Sequence, residues 1–369
     1  MLKQILFISI SSLLLCRLVT LEPLPVQALQ QRRVSPTPQN QQLNELLRQG
    51  RKSVDDGNFE RAIAIYQQAA DLDRKNPKIF SGIGYLHALQ GNFPEAVKAY
   101  QQAVALDPQN AEFQYALGYS LAQTGDNTAA ASAYRKAISL NNKKVNAYLG
   151  LGTVLLRQKD YKGAIATYRN VVELQPDNVQ AHEFIGLAFL QQGRSQEAIE
   201  ALQQAAKLAP QDVSVQMSLG KALMRQGNTT AGLAAFEKAE RLAPNNARVH
   251  IQIGKVLHAQ KKFPDALQAF KRATAIQPDS VEAQASIGEI LLEQENFLEA
   301  IVAYRRLTEL TPEDAKAYYN LGIALKKRDR TDEAIAALKK ARELYQRQGK
   351  KEGTQQAESL LQELKKSNG

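Results

Sequence analysis

The sequence predicts an all-α solenoid of antiparallel helix pairs, and three observations carry that expectation. Glycine returns every 34 residues at Gly50, Gly84, Gly118, Gly152, Gly186, Gly220, Gly254, Gly288 and Gly322, with no insertion. Small and bulky side chains keep the same step behind each glycine. The chain of 369 residues is 44% hydrophobic and 23% charged, which suits a folded body rather than a disordered one. A period of this length marks a stacked array whose single unit buries too little apolar surface to fold alone.

The first residues stand apart from the repeats. Lys3 precedes an apolar run of 12 residues from Ile5 to Cys16, short of the roughly 20 needed to span a bilayer. Val26 and Ala28 suit peptidase cleavage after Ala28, so residues 1–28 are expected to be a secretory signal. Arg17, Arg32 and Arg33 lie on its far side, which keeps an uncleaved membrane anchor as the alternative. Cys16, the one cysteine, follows Leu13, Leu14 and Leu15 rather than a small residue, which argues against a lipoprotein. It also excludes an intrachain disulfide or a cysteine-rich metal site. Loss of Lys3, Arg17 and Glu22 would leave 45 basic and 36 acidic residues, a net +9. Residues 29–42, rich in Gln, Pro and Arg, read as a linker.

Each repeat then explains one helix pair. Twelve residues after the glycine comes alanine in eight of nine units (Gly232 is the exception), and seven residues later a second small column from Ala69 to Ala341 admits only Val171 and Leu307. Between them runs a bulky column: Tyr66, Tyr100, Tyr134, Tyr168, Leu202, Phe236, Phe270, Tyr304 and Leu338. Two helices approach closely only where neither presents bulk, so the small columns open the contact and large residues fill its flanks. Pro108, Pro176, Pro210, Pro244, Pro278 and Pro312 remove a donor near each unit's end, where the second helix is expected to stop. Two places on, Asn76, Asn110, Asn178, Asp212, Asn246, Ser280 and Asp314 supply caps for the next helix.

These columns resemble the tetratricopeptide repeat family, with glycine at the eighth place, alanine at the twentieth and twenty-seventh, an aromatic at the twenty-fourth and proline near the end. The resemblance covers 43–348 as nine repeats, with Arg74, Asn142 and Gln346 departing from the usual proline. It implies a right-handed superhelical solenoid. Residues 349–369 are expected to form a capping helix, with Ala357, Leu360, Leu361 and Leu364 on one apolar stripe over the last repeat.

The family resemblance also implies a concave groove, lined by the first helix of each pair, that holds an extended peptide or partner helix. Its usual places are the second, fifth, ninth, twelfth and thirteenth. In repeats 2 to 6 they carry an apolar strip of Tyr85, Leu89, Tyr115, Tyr119, Leu149, Leu156, Leu187, Leu190, Met217 and Met224. Such a strip calls either for a partner or for internal packing of its leucines. From repeat 6 onward they carry charge: Lys221, Arg225, Arg248, Lys255, Glu282, Glu289 and Glu293, then Lys316, Lys326 and Lys327. Adjacent units place Lys255 beside Glu289, so internal pairing is expected over recognition of a charged partner. Two known recognition patterns are not written: the chaperone-tail clamp lacks its fifth-place lysine with ninth-place asparagine, and the asparagine ladder has only Asn320.

Other classes of function find little support. His87, His182, His250 and His258 lie in separate units, and no phosphate-binding loop is present, so neither catalysis nor a metal or other cofactor is expected. The pI of about 9.4 comes from dispersed basic residues rather than an aromatic-basic reading surface, so nucleic acid is not an expected partner. Attraction to anionic membrane or envelope polymers is the better use of that charge. The reading is a non-catalytic scaffold that binds other proteins, exported to a periplasm or cell envelope, or tethered to a membrane. A membrane-associated assembly factor or chaperone is the alternative, and oligomeric state is left open.

Overall fold

The computed structural model describes residues 37–367, which form nineteen α-helices and no strand. The first, or A, helices of the nine repeats are α1 (Pro38–Asp55), α3 (Pro77–Leu89), α5 (Ala111–Thr124), α7 (Val145–Arg157), α9 (Val179–Gln191), α11 (Val213–Gln226), α13 (Ala247–Ala259), α15 (Val281–Glu293) and α17 (Ala315–Lys326). Their B partners are α2 (Phe59–Leu72), α4 (Phe93–Leu106), α6 (Asn127–Leu140), α8 (Tyr161–Leu174), α10 (Ser195–Leu208), α12 (Thr229–Leu242), α14 (Phe263–Ile276), α16 (Phe297–Leu310) and α18 (Thr331–Arg347). A last helix, α19 (Lys351–Ser367), closes the array. Each helix packs on its neighbours in the chain, the arrangement of a helix-pair solenoid.

All seven expected caps act. Asn110 and Asp212, for example, each accept from two backbone amides of the helix they precede. The expected linker ends earlier than its composition suggested: Thr37 caps α1, Pro38 occupies its first turn, and residues 38–42 are helical. The expected signal segment lies outside the described residues. Proline is not what ends the B helices, since α2 and α6 stop at Leu72 and Leu140 although Arg74 and Asn142 replace it. Only the last departure lengthens a helix: with Gln346 at that place, α18 continues to Arg347.

The glycine column is a seat for the bulky column. A Cβ on Gly152 would come within 2.5 Å of the Tyr168 ring, and one on Gly220 within 2.6 Å of Phe236. Tyr168 and Phe270 are fully buried there. A second column sets the A-to-B turn, where the backbone enters the left-handed region at Gly57, Gly91, Gly125, Gly193 and Gly227. Lys159, Lys261, Glu295 and Asp329 adopt the same conformation at the equivalent place, with φ of 62°, 58°, 55° and 56°.

The buried core is not one continuous body. One cluster runs from Ala96 to Ala235, another from Ala247 to Leu364, and a small one around Phe236, Val249 and Val256 lies at the joint between repeats 6 and 7. In the capping helix Ala357, Leu361 and Leu364 are buried and Leu360 is half-buried, as the stripe predicts. Gly353 lies under the Tyr345 ring, which lets α19 approach α18.

Candidate partner-binding face

The A helices present their second, fifth, ninth, twelfth and thirteenth places along one face, and the structure divides the ten expected apolar residues into three groups. Tyr115, Leu156 and Leu190 are buried at 5%, 7% and 5% exposure and belong to the core rather than to an open groove. Tyr85, Tyr119, Leu149 and Leu187 are half-buried against the same core, and Met217 and Met224 are half-buried against the small cluster at the joint. Leu89 alone of the ten is exposed.

Tyr115 is a correction with a clear cause. Its ring packs 6.0 Å from that of Tyr134, and the Lys144 ammonium lies 4.6 Å above its centroid while pairing with Glu112 at 2.6 Å. Burial pushes the Tyr115 hydroxyl well above its usual range. Leu190 packs into the core, and the Arg225 guanidinium crosses from the next A helix to donate to its backbone carbonyl. Arg157 donates to the carbonyl of Ala122 in the same way, at 2.8 Å. Arginine at the thirteenth place thus closes the preceding A helix, and Arg225 is structural.

The charged band is largely paired, along a different line from the expected one. Lys255 does not meet Glu289. It pairs with Glu282, and Glu289 pairs with Lys316 at 2.6 Å. In both couples a ninth-place residue meets the second place of the following repeat, because the end of one A helix leans on the first turn of the next. Glu293 faces His258 at 3.3 Å, and Lys326 binds Glu363 of α19 at 2.6 Å. Lys221 and Arg248 have no hydrogen-bonding or ionic side-chain partner among the described residues.

Residue chemistry alone did not single out Glu183. It lies buried on α9 and accepts from the Ser214 and Ser218 hydroxyls at 2.7 and 3.0 Å. Burial raises its pKa above the ordinary carboxylate range, and the two hydroxyls partly offset the rise. The visible signal was an acid at a fifth place where apolar residues predominate. The histidines serve the frame. His182 and His250 each donate from Nε2 to the carbonyl of the proline six residues earlier, at 3.0 and 2.7 Å, as Tyr148 and Gln216 do to Asn142 and Pro210. Among the described residues no group of three or more His, Cys, Asp or Glu could hold a metal ion, and no helix is long and apolar enough to cross a membrane.

Comparison with known proteins agrees with this geometry. The model described as the Cilia and flagella-associated protein 70 C-terminal domain, itself a repeat model of this type, matches residues 76–290. Models described as TPR repeat and Tetratricopeptide repeat match 50–91, 288–329 and 315–348. The chain belongs to the tetratricopeptide repeat family. Among solved structures, a tetratricopeptide repeat protein from Parabacteroides merdae is 18% identical over 68% of this chain and 99% of its own, with a TM-score of 0.54. The Cut9-Hcn1 hetero-tetramer structure gives 17% identity over 76% of this chain and 55% of the other, with a TM-score of 0.50. MamA from Desulfovibrio magneticus RS-1 is 26% identical over 45% of this chain and 94% of its own, with a TM-score of 0.44. A search of curated proteins finds no match. The tetratricopeptide repeat fold is that of protein–protein interaction scaffolds.

Proposed function

We propose that this tetratricopeptide repeat protein is a non-catalytic scaffold whose A-helix face holds an extended segment or helix of a partner protein, in an exported or membrane-tethered setting. The observation that carries the reading is the row of half-buried side chains Tyr85, Tyr119, Leu149, Leu187 and Met217, one from each of five consecutive A helices. Their inner edges complete the core and their outer edges remain free. Rigid rings and an adaptable thioether supply contact area at small entropic cost. The apolar run of residues 5–16 supports the exported or tethered setting.

Site-specific photocrosslinking tests it. A photoreactive phenylalanine analogue at Tyr119 or Leu187, in cells producing the full chain, should yield discrete adducts with another protein. The same probe at Val302, 67% exposed on α16, should not. Equal labelling from both positions, or none from the A-helix face, overturns the assignment.

A further inference from the structure

The step that joins a ninth-place residue to the second place of the next repeat makes an ion pair twice in succession: Lys255 with Glu282, then Glu289 with Lys316. One repeat earlier the corresponding ninth and second places hold Lys221 and Arg248, both cations, near enough to repel each other. Neither forms an ion pair with an acid among the described residues. The acids nearest in the band are already engaged, Glu183 by Ser214 and Ser218, and Glu282 by Lys255. We infer that Lys221 and Arg248 form an anion seat that takes a carboxylate side chain of an acidic peptide segment lying along the A-helix face.

Three observations favour a peptide carboxylate. The two cations continue a ladder whose other rungs are lysine–glutamate couples, so a glutamate or aspartate from a partner completes the series with the same chemistry. Half-buried Met217 and Met224 stand on the same helix as Lys221 and offer an adaptable apolar wall for the neighbouring residues of such a segment. The free protein also holds like charges close together. Lys221 is exposed along its length, yet partial desolvation among the A helices, then Arg248 and Lys255, hold its ammonium below its usual pKa, with Glu282 and Glu183 opposing. An incoming carboxylate relieves that repulsion and gains specificity from it.

This inference rests on the proposed use of the A-helix face, and its test separates the two. Fluorescence anisotropy on the full chain would compare two labelled peptides, one of alternating glutamate and leucine and one of alternating glutamine and leucine. The acidic peptide should bind at least about tenfold more tightly at low salt, with the advantage shrinking as salt screens it. Arg248→Glu and Lys221→Glu should each remove the preference, while Lys316→Gln, on the already paired rung, should leave it. In the absence of peptide, Arg248→Gln should melt no lower than the parent chain, which excludes a folding defect. Equal binding of both peptides, unchanged by Arg248→Glu, overturns the seat and leaves the face as a docking surface. Binding of neither overturns the seat, and crosslinking from Tyr119 then decides the face alone. Displacement of the acidic peptide by inorganic phosphate or phosphatidylglycerol vesicles at comparable anion concentration also overturns it, by assigning the seat to phosphate.

Discussion

Repeats 2 to 6 and repeats 7 to 9 share the 34-residue unit but differ in how their A-helix faces are filled. In the first region, rings and leucines from successive helices sink into one another: Tyr115 meets Tyr134, Phe93 meets Tyr119 edge-on at 6.2 Å, and Tyr168 meets Phe184 at 5.3 Å. In the second, lysine and glutamate couples bridge the helices above a separate core. Apolar contact is short-ranged and closes the face, whereas ion pairs span a gap and leave it wet. The joint between the regions is where the core divides and the charge ladder has two cations on one rung. The first filling therefore leaves ring edges available to a partner, the second leaves charges already paired, and unmatched charge stands only at the joint between them.

Breaking the apolar filling has the largest expected effect. Tyr115→Ala removes a buried ring and should cost about 3–5 kcal/mol in urea unfolding. Tyr119→Ala, one turn away and half-exposed, should cost only about 1 kcal/mol and instead weaken partner capture. If the two variants lose similar stability, the division of the face into core and open edge fails. Next come the strained turns, three of the four in or adjoining the second region. Glu295→Gly should gain about 0.5–1 kcal/mol by relieving a left-handed non-glycine residue, net of the entropy glycine loses on folding. Unchanged stability would show that the strain is already absorbed.

A smaller effect is set by pH at Glu183. Burial raises its folded pKa above the unfolded value, so the folded state holds the proton more tightly. That stabilisation is complete below the unfolded value and is lost as pH rises through the folded one. Glu183→Gln keeps an acceptor for both serines, and should match the parent chain in acid while melting higher, by a few degrees at most, at neutral pH. A gap independent of pH would contradict it. The smallest effect belongs to the paired rungs. Lys316→Gln, which breaks a couple whose side chains are 59% and 43% exposed, should cost under about 1 kcal/mol at low salt and nothing measurable in molar salt.

Much of the fold was legible because its determinants are local and recur. Gly152 and Tyr168 are separated by 16 residues, as are Gly220 and Phe236, so one spacing repeated nine times reveals the contact. The left-handed turn emerged only from the structure: Gly57, Gly91, Gly125, Gly193 and Gly227 recur at the same step, but the column is broken by Lys159, Lys261, Glu295 and Asp329, which carry no signature of positive φ. The candidate face was legible only as a set of places. Place alone put Tyr115 and Tyr119 together, whereas packing buried one and left the edge of the other.

By itself the sequence determined the unit, its length, its caps and its number, since each follows from side chains acting on their own helix or on the next one. Tertiary structure decided which places of that unit face solvent. Exposure depends on the lean of one A helix against the next, and that lean joins the ninth place to the second rather than the ninth to the ninth. It paired Lys255 with Glu282, carried Arg225 to the Leu190 carbonyl and left Lys221 with Arg248, outcomes that no column of residues contains because they arise between units rather than within one.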